Sequence, residues 1–241
     1  MRVLAVSPHL DDAVFSVGAT LARLADAGHE VTVVTCFTAS VPDPTGFALA
    51  CQTDKGLPPE VDYMDLRRAE DRAATAVVGA APEHLPLAEA PHRGYGSAAA
   101  LFAGVRPDDL VWQDVRTVLQ ALDADLWLAP QGLGGHVDHL QVVRAVAALG
   151  RPTLWWRDAP YALRQPDAAP SPELPAGLRP LSLPQDRARR SDACACYATQ
   201  LGFQFGGEAG MRAALQDWPE LLLADPDAAA VVERGAAAVG Q

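Results

Sequence analysis

VLAVSPHLDDAVFSVGATLARLADAGHEVTVVTC, residues 3–36, holds two short apolar runs, Val3 to Val6 and Val31 to Cys36, on either side of a stretch with a different period. The runs are β-branched and nearly continuous rather than alternating, as strands covered on both faces of a parallel sheet must be. Between them Val14, Val17, Gly18, Leu21, Leu24 and Ala25 fall on one face at helical spacing, and Gly28 stands where a C-terminal stop is expected. The stretch therefore predicts a βαβ unit.

The alternation continues outward from it. Helices are expected around Tyr63 to Val78, ending at Gly79, then Asp109 to Leu122 and Asp138 to Leu149; strands are expected at His84 to Leu87, Leu126 to Ala129 and Thr153 to Trp156. Repeated βα alternation predicts an α/β fold, a Rossmann-like open and mostly parallel sheet flanked by helices on both faces, because right-handed crossovers place the helices there. No low-complexity linker or internal repeat interrupts the pattern, so one domain over residues 1–241 is expected. Adjacent Trp155 and Trp156 point to opposite faces of their strand, and core packing is their expected role. Three loops, 39–62, 88–107 and 160–180, are rich in Pro, Gly and small residues. Loops of that length either rim a site or are solvated insertions. His92, Arg93 and Tyr95 lie in the second, whose course the sequence does not fix, so they stand outside the expected site.

The composition is that of an ordinary globular protein: 49% hydrophobic and 20% charged over 241 residues, which suffices for one substantial core. Nineteen Lys and Arg against 30 Asp and Glu give a formal charge of −11, which repels a polyanion and argues against nucleic acid as a partner. The opening apolar run is short and meets Ser7, Pro8 and His9, so neither a secretory segment nor a membrane span can be drawn there, and a cytoplasmic protein is expected. Cys36, Cys51, Cys194 and Cys196 form no CxxC pair and are expected to be reduced thiols, mostly buried.

Chemistry collects in two polar clusters, Pro8-His9-Leu10-Asp11-Asp12 and Gly134-Gly135-His136-Val137-Asp138-His139. Each follows a predicted strand, and in an open parallel sheet the carboxyl ends of strands line a common crevice where ligands bind. Imidazole and carboxylate are both good zinc ligands, and a catalytic zinc takes three protein ligands with one position left for water. Two histidines and one aspartate suffice for that, and a further carboxylate could serve as base. Taken singly, Asp11, Asp12 and Asp138 also read as helix caps, and His136 or His139 as a helix-end residue. It is the pairing of the two clusters that favours a metal site.

These residues resemble the PIG-L/LmbE-like family of zinc-dependent de-N-acetylases, whose motifs usually read AHPDDE and HxDH. Here the matching segments are Ser7-Pro8-His9-Leu10-Asp11-Asp12-Ala13 and His136-Val137-Asp138-His139. Further echoes are Arg67-Arg68-Ala69-Glu70, Arg157-Asp158-Ala159-Pro160-Tyr161 and Tyr197-Ala198-Thr199-Gln200-Leu201. The resemblance implies zinc held by His9, Asp12 and His139, with Asp11 as general base. It implies a protonated His136 that stabilises the oxyanion, Asp138 supporting His136, and Arg67 reaching a polar group of the substrate. An arginine and a glutamate three apart on a helix can equally be a surface pair. Leu10, Pro8 and Ala13 depart from the usual first motif without removing an implied ligand, and so bear on the residues behind the ligands.

The implied reaction is hydrolysis of an N-acyl group, acetyl on an amino sugar, in an N-acetylated sugar conjugate. Zn2+ is the implied metal, and the two-histidine, one-carboxylate set is also compatible with Fe2+. A homo-oligomer is compatible with this reading. Two alternatives remain open: a sugar-binding protein of the same fold without activity, and a nucleotide-dependent Rossmann-type enzyme. Against the latter, the first strand is followed by Ser7-Pro8-His9-Leu10-Asp11 rather than GxGxxG, and Gly132-Leu133-Gly134-Gly135 is a weak substitute.

Overall fold

The computed structural model describes residues 1–239, so the last two residues of the expected 1–241 unit lie outside the described residues. The opening stretch forms β1 (Arg2–Ser7), α1 (Asp12–Asp26) and β2 (Glu30–Thr35), with the strands parallel and Arg2 opposite Glu30. The chain continues through α2 (Gly46–Thr53), α3 (Tyr63–Val78), β3 (Ala81–His84), α4 (Val111–Gln120), β4 (Leu126–Pro130), α5 (Val137–Ala147) and β5 (Thr153–Trp156). Its last third adds α6 (Tyr161–Arg164), β6 (Arg179–Leu181), α7 (Arg187–Cys194), α8 (Ala198–Phe205), α9 (Glu208–Gln216), β7 (Leu222–Ala224) and α10 (Pro226–Val239). All seven strands share one sheet in the order β3-β2-β1-β4-β5-β7-β6. It is parallel from β3 to β5, whereas β7 runs antiparallel to both β5 and β6. The α/β class and the mostly parallel sheet are as expected; the antiparallel edge is not foreseen in the sequence.

Alternate residues of the central strands feed the two faces. Val3, Ala5, Leu126, Leu128, Leu154 and Trp156 pack under α1, α3 and the helices of the last third. Leu4, Val6, Trp127, Ala129 and Trp155 pack against α4 and α5. Trp155 and Trp156 thus lie in opposite cores, both buried, as the period of a strand requires. No helix among the described residues is long and apolar enough to cross a membrane. All four cysteines are free, Cys36 and Cys194 buried and Cys51 and Cys196 half-buried.

The third strand is displaced from its expected place. It runs Ala81–His84, pairing with Thr32–Thr35, rather than His84–Leu87. Ala-Pro-Glu-His carries no apolar run because the strand lies at the sheet edge, where only one neighbour covers it and Pro82 is tolerated. The apolar Leu85 and Leu87 that suggested the strand follow it instead, beside an isolated antiparallel bridge between Phe37 and Pro86.

Helix α1 is broken at Val17, whose φ of −139° and ψ of 18° leave the helical region. Beyond the break, Glu220 accepts hydrogen bonds from the backbone N–H groups of Ala19 (2.8 Å) and Thr20 (2.7 Å). Its carboxylate also pairs with Arg190 at 3.2 Å, both side chains being fully buried, and Arg190 donates to the carbonyls of Leu215 and Trp218. A Cβ on Gly18 would come within 3.2 Å of Arg190 Cγ, so the bare backbone lets the arginine pass close to the helix.

Candidate active site

The strand order reverses between β1 and β4, the switch point at which the loops leaving the two strands part and open a crevice at their carboxyl ends. Both polar clusters stand there, and the residues that follow β5 lie alongside. After β1 the turn is pinned by Ser7, whose hydroxyl donates to the His9 carbonyl (2.7 Å) and accepts from Ala13 N–H (3.1 Å). Asp12 accepts from the His9 backbone N–H at 2.8 Å and lies 3.0 Å from His9 Nδ1. After β4, His136 caps α5: its Nδ1 accepts from Asp138 N–H at 3.2 Å. This fixes Asp138 and His139 in the first turn of the helix, both with 0% exposure.

Donor atoms of His9, Asp12 and His139 all lie within 4.8 Å of one another, and so do donors of His9, His136 and Asp138. The two sets differ in how far their donors are already engaged. Asp138 already accepts three hydrogen bonds: Oδ1 from Arg93 at 2.7 Å, and Oδ2 from Ala90 N–H and His9 Nε2, each at 3.0 Å. His139 Nε2, by contrast, is buried without a hydrogen-bond partner, 3.2 Å from Asp12 Oδ2. A carboxylate also stands behind each imidazole, Asp138 behind His9 and Asp158 behind His139, where Asp158 Oδ1 accepts from Nδ1 at 2.7 Å. Such outer carboxylates fix the tautomer and raise the basicity of a metal-bound histidine.

Electrostatics agree with this division. Burial alone would strip the proton from His9 and His139, but Asp12 together with Asp138 holds His9 well above the ordinary value, and Asp12 together with Asp158 raises His139 to about 9. These are imidazoles whose surroundings call for positive charge, which a divalent cation can supply. Burial, with the Asp12 charge second, pushes the Asp11 carboxyl up to about 7 despite Arg67 nearby. Burial drives His136 down to about 3, with the charge on His9 adding to it. A neutral His136 that accepts at Nδ1 carries its proton on Nε2. A neutral ring still leaves His136 the Nε2 proton that its expected donor role needs. Asp138 bonds to His9 through its carboxylate and to His136 through its backbone N–H, and its charge opposes the fall in the His136 pKa.

A cavity of about 310 Å³ opens over these groups, lined by His9, Asp11, Asp12, His136 and Asp138 on its floor. Arg67 enters from α3, buried, with Nη1 on Glu89 Oε1 at 2.5 Å and Nη2 3.7 Å from Asp11 Oδ1. It is therefore not a surface partner of Glu70, which accepts instead from Thr199 N–H (2.8 Å) and hydroxyl (2.7 Å). The arginine motif and the Tyr197–Leu201 segment are thereby joined in space. Gly134 has a φ of +84°, and a Cβ there would come within 2.9 Å of the Tyr161 ring, which stands edge-on to His139. The turn at Gly134 thus packs directly against Tyr161, which lines the cavity.

Three residues outside the expected site belong to its surroundings: Asp158, Glu89 and Arg93. Asp158 was open to detection, since it follows a predicted strand next to the one that carries the second cluster. Glu89 and Arg93 sit in the 88–107 loop, which carries no periodic signal. Arg93 bridges Asp138 and Asp109, the latter at 2.9 Å, and stacks over Phe37 with 4.9 Å to the ring centroid.

The GlcNAc-PI de-N-acetylase (PIG-L) family profile matches residues 4–149, more than half of the sequence. The chain belongs to this family. It is 36% identical over 170 residues to the 2′-N-acetylparomamine deacetylase of Streptomyces fradiae, a match spanning 67% of this chain and 58% of the relative, less than two thirds of its length. Among solved structures, the zinc-inhibited form of a teicoplanin deacetylase superposes with a TM-score of 0.78 at 28% identity, over 92% of this chain and 97% of that one. An antimicrobial A40926 pseudoaglycone deacetylase gives 0.74 at 33% identity, over 92% and 96%.

Proposed function

We propose that the protein hydrolyses the N-acetyl group of an amino sugar carried on a larger small molecule, releasing acetate and a free amine. The observation that carries the reading is the convergence of His9, Asp12 and His139 beside a carboxylate, Asp11, that no ligand role requires. On this reading His9, Asp12 and His139 hold a divalent cation, zinc in the first instance. When bound, the cation supplies Lewis acidity, lowering the pKa of water and polarising the amide carbonyl. Asp11, poised near neutrality in the cavity wall, takes the proton of the attacking water and returns it to the leaving nitrogen. His136 donates its Nε2–H to the oxygen that gains charge as water adds, a hydrogen bond worth most where water is excluded. Asp138 and Asp158 orient the two ligand imidazoles. Arg67, held by Glu89, limits how far the Asp11 pKa rises and offers its remaining donors to a sugar hydroxyl.

Residues 1–241 act as one unit in this reading, since every strand described belongs to a single sheet. A cytoplasmic setting is part of it, supported by four free thiols. An idle sugar-binding protein is disfavoured, because mere binding gives no reason to bury Asp11 beside Asp12. The test is acetate release from a panel of N-acetylglucosaminides with metal quantified on the same sample. Zinc at one per chain with acetate released is expected; a metal-bearing protein inert across the panel refutes it, and iron in place of zinc corrects the metal.

A further inference from the structure

Lys55 is the only lysine in the sequence, in a chain of formal charge −11. It lies just beyond α2 and lines the same cavity as His9, Asp11 and His136. Its Nζ sits 5.2 Å from the Tyr63 ring centroid and 5.1 Å from that of Phe203, and donates to the Cys51 carbonyl at 2.5 Å. An ammonium has three donors. Among the described residues no carboxylate pairs with this one: Glu89, in the same cavity, is bound to Arg67, and Asp54 lines the wall without reaching ion-pair distance. Burial, with the Arg67 charge second, draws the ammonium below its ordinary pKa, a penalty that an anion bound beside it would reverse.

The wall around Lys55 is apolar and aromatic. Phe203 is 66% exposed and Phe102 47%, and these two exposed phenylalanines both line this cavity, as do Phe47 and Leu101. Phe102 meets His136 edge-on at 5.3 Å, so the aromatic wall runs down to the reacting groups. The other cation on the rim, Arg164, is occupied by the carbonyl and side-chain oxygens of Gln204, each at 2.8 Å. A polycationic aminocyclitol would meet an ammonium and bare rings there; a flat aromatic group with a carboxylate would meet a cation and stacking surfaces.

We propose that the outer half of the cavity binds an aromatic aglycone bearing a carboxylate, with Lys55 as the residue that selects it. The inference rests on the deacetylase reading of the floor and adds the substrate class. Its test uses three N-acetyl-β-glucosaminides that share a phenyl aglycone and differ only at the para position: carboxylate, hydrogen or aminomethyl. Binding is measured by calorimetry on zinc-loaded Asp11→Asn protein, alone and combined with Lys55→Met, Lys55→Gln or Lys55→Arg, with thermal unfolding to establish folding. The carboxyphenyl glycoside is expected to bind about tenfold more tightly than the phenyl one, and the aminomethyl one more weakly still. Lys55→Met and Lys55→Gln should erase the preference, and Lys55→Arg should restore it. Acetylating the folded protein, which has no other lysine, should reproduce the Met variant without mutation. Equal binding of the three glycosides, a preference that survives loss of the Lys55 charge, or no binding at all overturns the proposal. Acetate release from the same glycosides by the wild type is scored separately. A charge preference without acetate would refute the deacetylase and leave the Lys55 subsite standing.

Discussion

Asp158→Asn separates the two candidate metal sets, because Asp158 touches His139 and neither His136 nor Asp138. In the native protein Oδ1 accepts from His139 Nδ1 at 2.7 Å and Oδ2 from Leu133 N–H at 3.0 Å. Both partners are donors, so a carboxylate satisfies both, whereas an amide has one oxygen and one NH2 group. Whichever way the substituted amide is turned, one buried donor faces another. The amide escapes by rotating away and leaves His139 unguided, or His139 adopts the other tautomer, with its proton on the nitrogen that should ligate. Losing such a partner typically weakens metal binding about 10- to 100-fold, roughly 1.4 to 2.7 kcal/mol. Competition against a chromogenic zinc chelator at fixed pH reads this directly, with circular dichroism as the control for folding. An unchanged zinc affinity would mean that the cation sits elsewhere, on His9, His136 and Asp138, and would remove His139 from the ligand set.

Replacing Asp11 with Asn should leave the zinc content intact while lowering kcat about 10²- to 10⁴-fold, the usual worth of a positioned proton carrier; near-normal turnover would remove Asp11 from the mechanism. Zinc uptake by the metal-free protein at pH 7 should release up to two protons, since the His139 pKa is raised to about 9 and that of His9 well above its ordinary value by the carboxylates beside them, and both must lose a proton to ligate. Calorimetry in buffers of different ionisation enthalpy counts them, and a count of zero contradicts the proposed ligands. Glu220→Gln should destabilise the fold by about 3–5 kcal/mol in urea titrations, because Arg190 is left charged and buried without its counter-ion. A loss below about 1 kcal/mol would mean that water or another group replaces the carboxylate.

The elements legible in the sequence are those whose surroundings impose a period. Strands β1, β2, β4 and β5 are covered on both faces, so Val3 to Val6 or Leu126 to Ala129 can be little other than apolar, and the clusters at their ends stand out against that background. Helix α3 shows its boundaries through Asp62, whose side chain accepts from Asp65 N–H, and through Gly79. Strand β3 is obscured because an edge position asks for pairing on one side only. The antiparallel strands β6 and β7 have three residues each, too few for any period to appear. The site divides along the same line. His9, Asp12 and His139 are readable from two short motifs, but Glu89 and Arg93 owe their place to a loop whose course depends on tertiary contacts. Arg67 falls between: its helix is predictable, whereas the direction it faces depends on Glu89.

The repair of helix α1 by Glu220 has a consequence for how the molecule is made. The two amide groups it satisfies, at Ala19 and Thr20, precede it by 201 and 200 residues. At roughly 5–20 residues per second, a ribosome exposes the first strand and helix about 10–40 s before this carboxylate emerges. Throughout that interval the nascent helix cannot bury its broken turn without stranding two polar groups, so this half of α1 packs fully only as the final elements of the sheet arrive.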